Sequence, residues 1–343
     1  MKIDHKILLS ALENCSLGNN GLVKVTPGKI SSVGPSMSVS VAIQGAGEEV
    51  FVLPMARLLS VLKGSATGMV DISINKGSAV IKVGRSVIRL PLSEESAVPE
   101  TESLQSWSDL PRDVVTAAMA VVSIIPRRDN LQGNFFSEGA SIRPLGNGMV
   151  VCGHDSSAMA FCVMSKVDQL IGNTIPVRLV RAMGGLTGNL EVAIGDNSIS
   201  VRGGGVTFTH RKLSRKQVEV EKIVPKLMGD LPFSEVEVRS FGAAIRAASQ
   251  FSRERDFAPF VVKSDVGCLS VSSEDVADGG VDSEVDCPQV APGMVFKVNS
   301  KYVLDFLGSV ESESIKLAKS DHVILKGSTK GLEVVCSIAT MRI

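Results

Sequence analysis

The sequence predicts an α+β protein of three similar domains, each with two helices packed on antiparallel sheets. Three observations carry this: a repeat of about 120 residues, two helical patterns in every repeat, and alternating apolar stretches separated by Gly/Asn turns. Placing Val70 on Leu190 and on Ile315 aligns three copies, Phe51 to Leu90, Asn173 to His210 and Phe296 to Val335.

Each copy opens on a short extended segment that leads to a helix start at Pro54, Pro176 or Asn299. Proline suits a first helical turn, where its missing N–H would have no partner anyway, and asparagine caps the free N–H groups with its side-chain oxygen. An amphipathic helix of about ten residues follows, with Leu58, Leu59 and Leu62, then Leu179, Val180 and Met183, then Val303, Leu304 and Leu307 at helical spacing. Strand alternation comes next, as in Val70, Ile72, Ile74 and Val80, Ile81, Val83. Asn75-Lys76-Gly77 and Gly195-Asp196-Asn197 are the hairpin turns, because Gly and Asn accept positive φ cheaply. A second helix precedes each copy, over His5 to Cys15, Pro111 to Ile125 and Ser240 to Phe251. The polar stretches Ser93 to Ser108 and Lys212 to Asp230 read as linkers, which sets domains at 1–100, 108–225 and 230–343.

A hydrophobic fraction of 44% with 21% charged residues fits globular domains with cores of their own. The 36 basic and 36 acidic residues cancel, so a globally basic nucleic-acid binder is excluded and any contact to DNA rests on local segregation of charge. Such segregation is present. The helix at Pro54 carries Arg57 and Lys63, and the helix at Pro176 carries Arg178 and Arg181, neither with an acid. The second helix of the middle domain ends at Arg127 and Arg128, and that of the last domain bears Arg246 and runs on to Arg253. Glu274 to Asp286 holds six acids and no base. Basic helices set against an acidic exterior would attract phosphates without reading sequence.

No apolar run reaches the roughly 18 residues of a membrane span, so no membrane partner is expected. Ile7-Leu8-Leu9 is too short for a secretory signal, and the six cysteines are scattered without a CxxC pair; the expected location is cytoplasmic. Cys152-Gly153-His154-Asp155 offers at most two ligands with no third at a known spacing, and the four histidines have no partner motif. No metal, cofactor or catalytic residue is therefore assigned. Gly203-Gly204-Gly205 lies between strands and reads as a hairpin turn, not a phosphate loop.

Taken together, FKVNSKYVLDFLGSV (Phe296 to Val310), the closing SIATMRI (Ser337 to Ile343), IPVRLVRAMGGLTG and VTFTHRKL in the middle, and LPMARLLSVLKG with VGRSVIRLPL near the start carry a resemblance. In this order and spacing they resemble the bacterial DNA polymerase III β subunit, the β sliding clamp, along essentially the whole chain. The resemblance implies the DNA clamp fold, with three domains forming a half-ring and a head-to-tail homodimer closing around double-stranded DNA. It also implies partner peptides, from the replicative DNA polymerase and the clamp loader, in a cleft between domains two and three. Position by position that cleft comprises Met159, Val218, Ile223, Asn299, Tyr302, Val323, Ile338, Met341, Arg342 and Ile343, with Tyr302 either a rigid amphipathic wall or an ordinary core aromatic. The implied dimer contact pairs the strand of Ile88 and Leu90 with the helix that ends at Phe251. The chain departs from the family at His154 to Ala160, at Ala339-Thr340, and in the loop after Cys15, which lacks an arginine. The alternative is a repetitive α+β structural or scaffold protein without DNA affinity, which would lack topological retention on closed circular DNA.

Overall fold

The computed structural model describes the chain except residues 17–20, 45–47, 66–67, 99–103, 105, 126–138, 214–218, 252–257, 274–278 and 343. Among the described residues, the strands and all helices of eight residues or more but one fall into six modules of one kind: strand, helix, three strands. The first is β1 (Lys2–Asp4), α1 (His5–Ser16), β2 (Leu22–Thr26), β3 (Lys29–Val33) and β4 (Met37–Ala42). The second is β5 (Phe51–Pro54), α2 (Met55–Lys63), β6 (Met69–Asn75), β7 (Ser78–Val83) and β8 (Ser86–Pro91). The third is β9 (Trp107–Asp109), α3 (Arg112–Ile124), β10 (Gly139–Leu145), β11 (Gly148–His154) and β12 (Ala158–Ser165). The fourth is β13 (Thr174–Pro176), α4 (Val177–Gly184), β14 (Glu191–Ile194), β15 (Ser198–Gly203) and β16 (Val206–Arg211). After α5 (Val220–Met228), which stands outside the pattern, the fifth is β17 (Ser234–Glu237), α6 (Val238–Ser249), β18 (Pro259–Asp265), β19 (Cys268–Ser272) and β20 (Asp282–Asp286). The sixth is β21 (Val295–Asn299), α7 (Ser300–Ser309), β22 (Ser314–Lys319), β23 (His322–Thr329) and β24 (Leu332–Ala339).

The repeat of about 120 residues is therefore two modules long. Successive modules exchange their first strands: β1 pairs β6 and β5 pairs β2, β9 pairs β14 and β13 pairs β10, β17 pairs β22 and β21 pairs β18, all antiparallel. These first strands are three to five residues long and form outer edges, where shortness limits stray pairing. The third strands of the triplets behave differently. β4 pairs β16 and β12 pairs β24, which fuses triplets into the eight-stranded sheets β5-β2-β3-β4-β16-β15-β14-β9 and β13-β10-β11-β12-β24-β23-β22-β17. Among the described residues, β8 and β20 pair on one side only and end the four-stranded sheets β1-β6-β7-β8 and β20-β19-β18-β21.

The chain divides into two compact bodies, Met1–Pro111 with Arg181–Lys212, and Arg112–Val180 with Leu213–Ile343. Each holds one eight-stranded and one four-stranded sheet. In the first, α1 and α2 bury Leu8, Leu12, Leu58 and Leu62, and His5 Nε2 lies 2.8 Å from the Leu62 carbonyl oxygen. In the second, α3 packs on β10, β11 and β12 and against α7. It comes so close to β11 that a Cβ at Gly153 would lie 2.7 Å from Val121 Cγ1. Lys76 and Gly77 (φ 45 and 77) and Gly204 and Gly205 (φ 57 and 78) make the hairpin turns expected at both places.

One expectation changes. The stretch Lys212 to Asp230, expected as a linker, contains α5. Its Val220, Val224 and Leu227 stand at i, i+4 and i+7 and pack on Val150, Cys152, Met159, Phe161, Ile324 and Val335 of the second body's large sheet. Pro225 inside the helix hides that period, because proline usually ends one. In addition, Asp282–Asp286 of the acidic run forms β20, so those acids belong to a sheet edge; residues 274–278 of the run lie outside the described residues.

Candidate functional site

The basic helices present their charges outward. On α2, Leu58 and Leu62 face the core and Arg57 and Lys63 are exposed; Lys63 is partly neutralised by Glu13 of α1, 3.3 Å away. On α4, Leu179, Val180, Ala182 and Met183 are buried, and Arg178 and Arg181 are exposed. On α6, Phe241, Ala244, Ile245 and Ala248 form the buried stripe, which leaves Arg246 and also Arg239 on the outer one. Arg239 escaped the sequence analysis, though its i, i+7 spacing to Arg246 was the available signal. Arg127, Arg128 and Arg253 lie outside the described residues. On α7, Lys301 is held by Asp305 at 3.0 Å, so this helix offers no free base among its described residues.

The residues expected to line a partner cleft separate into buried and accessible ones. Tyr302 is 2% exposed. Its hydroxyl donates to Asp155 Oδ2 at 2.5 Å, while Asp155 Oδ1 accepts from the backbone N–H groups of Ser157 and Ala158 at 2.7 and 2.8 Å. Asp155 thus ties the β11–β12 turn to α7; an Asp opening a tight turn of serines was the sequence signal for half of this. Asn299 is buried and caps α7, accepting from the Lys301 N–H at 3.0 Å, and Val323 and Ile338 are fully covered as cross-strand partners. Met159 is 8% exposed. Ile223 on α5 and Arg342 are exposed and Met341 is half-buried, and the Met341 N–H is tied to the Lys297 carbonyl at 2.8 Å. Val218 and Ile343 lie outside the described residues.

Cys152 is buried in β11, and burial pushes its thiol from 9.0 to about 12, so it stays a neutral core thiol. Among the described residues no group of three His, Cys, Asp or Glu is placed to hold a metal, and no helix is long and apolar enough to cross a membrane.

Of the residues expected at a dimer contact, Ile88 and Leu90 lie on β8 opposite Ile81 and Ala79. Ile88 and Phe251, just beyond α6, are half-buried, and Leu90 is buried.

No protein-family model and no curated protein matches the sequence. Solved structures do. The DNA polymerase sliding clamp of Pseudomonas aeruginosa is 17% identical, with 100% of this chain and 99% of that chain covered and a TM-score of 0.82. The DNA polymerase III β chain of Streptococcus pneumoniae is 15% identical over the same shares, with a TM-score of 0.86. A DNA polymerase III β subunit structure from Eubacterium rectale is 12% identical over 99% of this chain and 98% of that one, with a TM-score of 0.84. The fold is that of a DNA sliding clamp. At such identities the fold is what is shared, and the clamp fold accounts for the α+β class and the antiparallel sheets expected from the sequence.

Proposed function

We propose that the chain is a non-catalytic DNA sliding clamp of the cytoplasm, with three domains over 1–100, 108–225 and 230–343. Two copies close head-to-tail into a ring around duplex DNA that holds a replicative polymerase in place and is opened by a clamp loader. One observation carries the proposal: of six closing strands, β4 pairs β16 and β12 pairs β24, while β8 and β20 have an open side among the described residues. An open edge carries a row of unpaired N–H and C=O groups. The same antiparallel rule, applied between copies, joins β8 of one protomer to β20 of the next.

The two edges differ from each other in the sense this requires. β8 carries Arg89, exposed Val87 and, just before it, Arg85; β20 carries Asp282, Glu284 and Asp286. Ile88, Leu90 and Phe251 supply apolar packing beside the joint. Because two different surfaces meet, the contact is heterologous and makes a ring only if the rotation closes. Arg57, Arg178, Arg181, Arg239 and Arg246 on the helices supply phosphate contacts without base readout. Partner peptides dock over the β12–β24 joint beside α5, with Ile223, Met341 and Arg342 at the rim and Met159 beneath.

The test is topological. Rings assembled on closed circular DNA by the host's clamp loader remain bound, and cutting the circle releases them. Equal retention on closed and cut DNA contradicts the proposal and favours a scaffold protein.

A further inference from the structure

Arg143 lies in the middle of β10, opposite Val150, on the sheet face that also carries Cys152 and Met159 and that α5 covers with Val220 and Val224. It is 5% exposed. Nη1 donates to the Ile142 carbonyl at 2.9 Å, but Nη2 has no hydrogen-bond partner. Burial pushes the guanidinium below its ordinary pKa, with Cys152 and Glu221 acting in the opposite sense; an arginine nevertheless stays charged. A buried cation is ordinarily paired, and one left with an idle donor costs the fold free energy that its own contacts do not return.

The surroundings define what would complete it. Glu221 is exposed in the first turn of α5, and α5 packs against β10 on the sheet face that carries Arg143. The helix start adds donors: Glu219 at the N-cap makes no side-chain hydrogen bond to the first turn. The idle guanidinium donor shares its sheet face with Val150 and Met159, which Val224 of α5 packs against. Glu219 and Glu221 flank the place and disfavour a dianion such as phosphate, whereas a single carboxylate joined to apolar side chains suits both the charge and that apolar face.

We infer that Arg143, on the sheet face that α5 covers, is the receptor for one acidic side chain of a docking peptide. The inference rests on the proposed docking surface beside α5 and adds the chemistry of its partner: an apolar segment carrying one Asp or Glu at a fixed spacing.

The probe is a random 12-residue peptide library selected on the full-length wild-type protein, with the best binders remeasured on Arg143→Met and Ile223→Ser. Met keeps the stem of Arg143 and removes the charge, so Arg143→Met melts at the same temperature as wild type or higher. Selected peptides are expected to share an apolar pair and one acid. Changing that acid to its amide weakens binding to wild type by about tenfold or more and leaves binding to Arg143→Met unchanged. If the acid is absent, or matters equally on both proteins, while Ile223→Ser still abolishes binding, the carboxylate site is overturned and the docking surface stands. If Ile223→Ser changes nothing, the docking surface is misplaced and the inference falls with it.

Discussion

The β12–β24 joint and the free edge of β8 are built from equivalent strands, the last of their triplets, yet only one is closed within the chain. Where β12 meets β24, the paired residues are Ala158 with Ile338, Met159 with Ser337, Ala160 with Cys336 and Phe161 with Val335, all buried. Along β8 the corresponding positions include exposed Val87 and Arg89, and along β20 exposed Asp282, Glu284 and Asp286. A joint that folds once can be buried and almost wholly apolar, as here, where Ser337 is the one polar residue among those pairs. A joint formed between copies, as proposed for β8 and β20, gains from charges, which steer association and repel like edges but contribute less when screened.

The sharpest way to break this comparison is to reverse the charge of one open edge. Arg85→Glu with Arg89→Glu places acids against the acidic β20 of a second copy and is expected to cost association about 3 kcal/mol or more, leaving a monomer in equilibrium sedimentation. Asp282→Lys with Glu284→Lys does the same from the other side. Mixed together, the two variants restore the dimer, because in a head-to-tail ring one contact then carries both reversals and the other carries none. Failure of the mixture to associate removes the β8–β20 pairing.

A change at the closed joint acts on folding instead. Tyr302→Phe takes away the hydroxyl that Asp155 accepts from, and leaves a buried carboxylate oxygen short of a donor. A loss of about 1–3 kcal/mol in urea unfolding is expected, with the dimer unaffected at neutral pH. An unchanged stability combined with a weakened dimer would invert the roles of the two joints.

The smallest expected effect is alkaline. Burial raises the thiols of Cys152 and Cys162 from 9.0 to about 12, and that of Cys336 upward as well. The folded state therefore holds these protons longer than the unfolded chain. The associated stability is complete below pH 9 and is lost as pH rises through the folded values near 12, at about 1.4 kcal/mol per thiol per pH unit. Cys162→Ala should flatten the fall in stability between pH 9 and 10.5; an equally steep fall would assign it to other groups.

Much of the fold was legible in the sequence because its periods are local. Leu58 and Leu62, Val70 through Ile74 and the turn at Asn75-Lys76-Gly77 each specify an element from adjacent residues. The exchange of first strands was not legible, since β1 and β6 are short or ordinary strands whose pairing is set by tertiary packing. The outward Arg57, Arg178, Arg181 and Arg246 were named from the sequence, whereas Arg239 of α6 was not. The surroundings of the proposed cleft were only half legible: motif positions named Tyr302, Asn299, Val323 and Ile338, which the fold buries, and the helix that covers the sheet, α5, was masked by Pro225. Arg143 gave no sequence signal at all, because an arginine alternating with apolar residues in a strand reads as a solvent-facing one.

The central claim is that β8 and β20 join between copies and that the joint closes. Mass measurement across the micromolar range tests it most directly. One species of twice the 36.2 kDa chain mass, with no larger assembly as concentration rises, is the expected result. A strictly monomeric chain, or a series of masses that keeps growing with concentration, would contradict a closed ring of two.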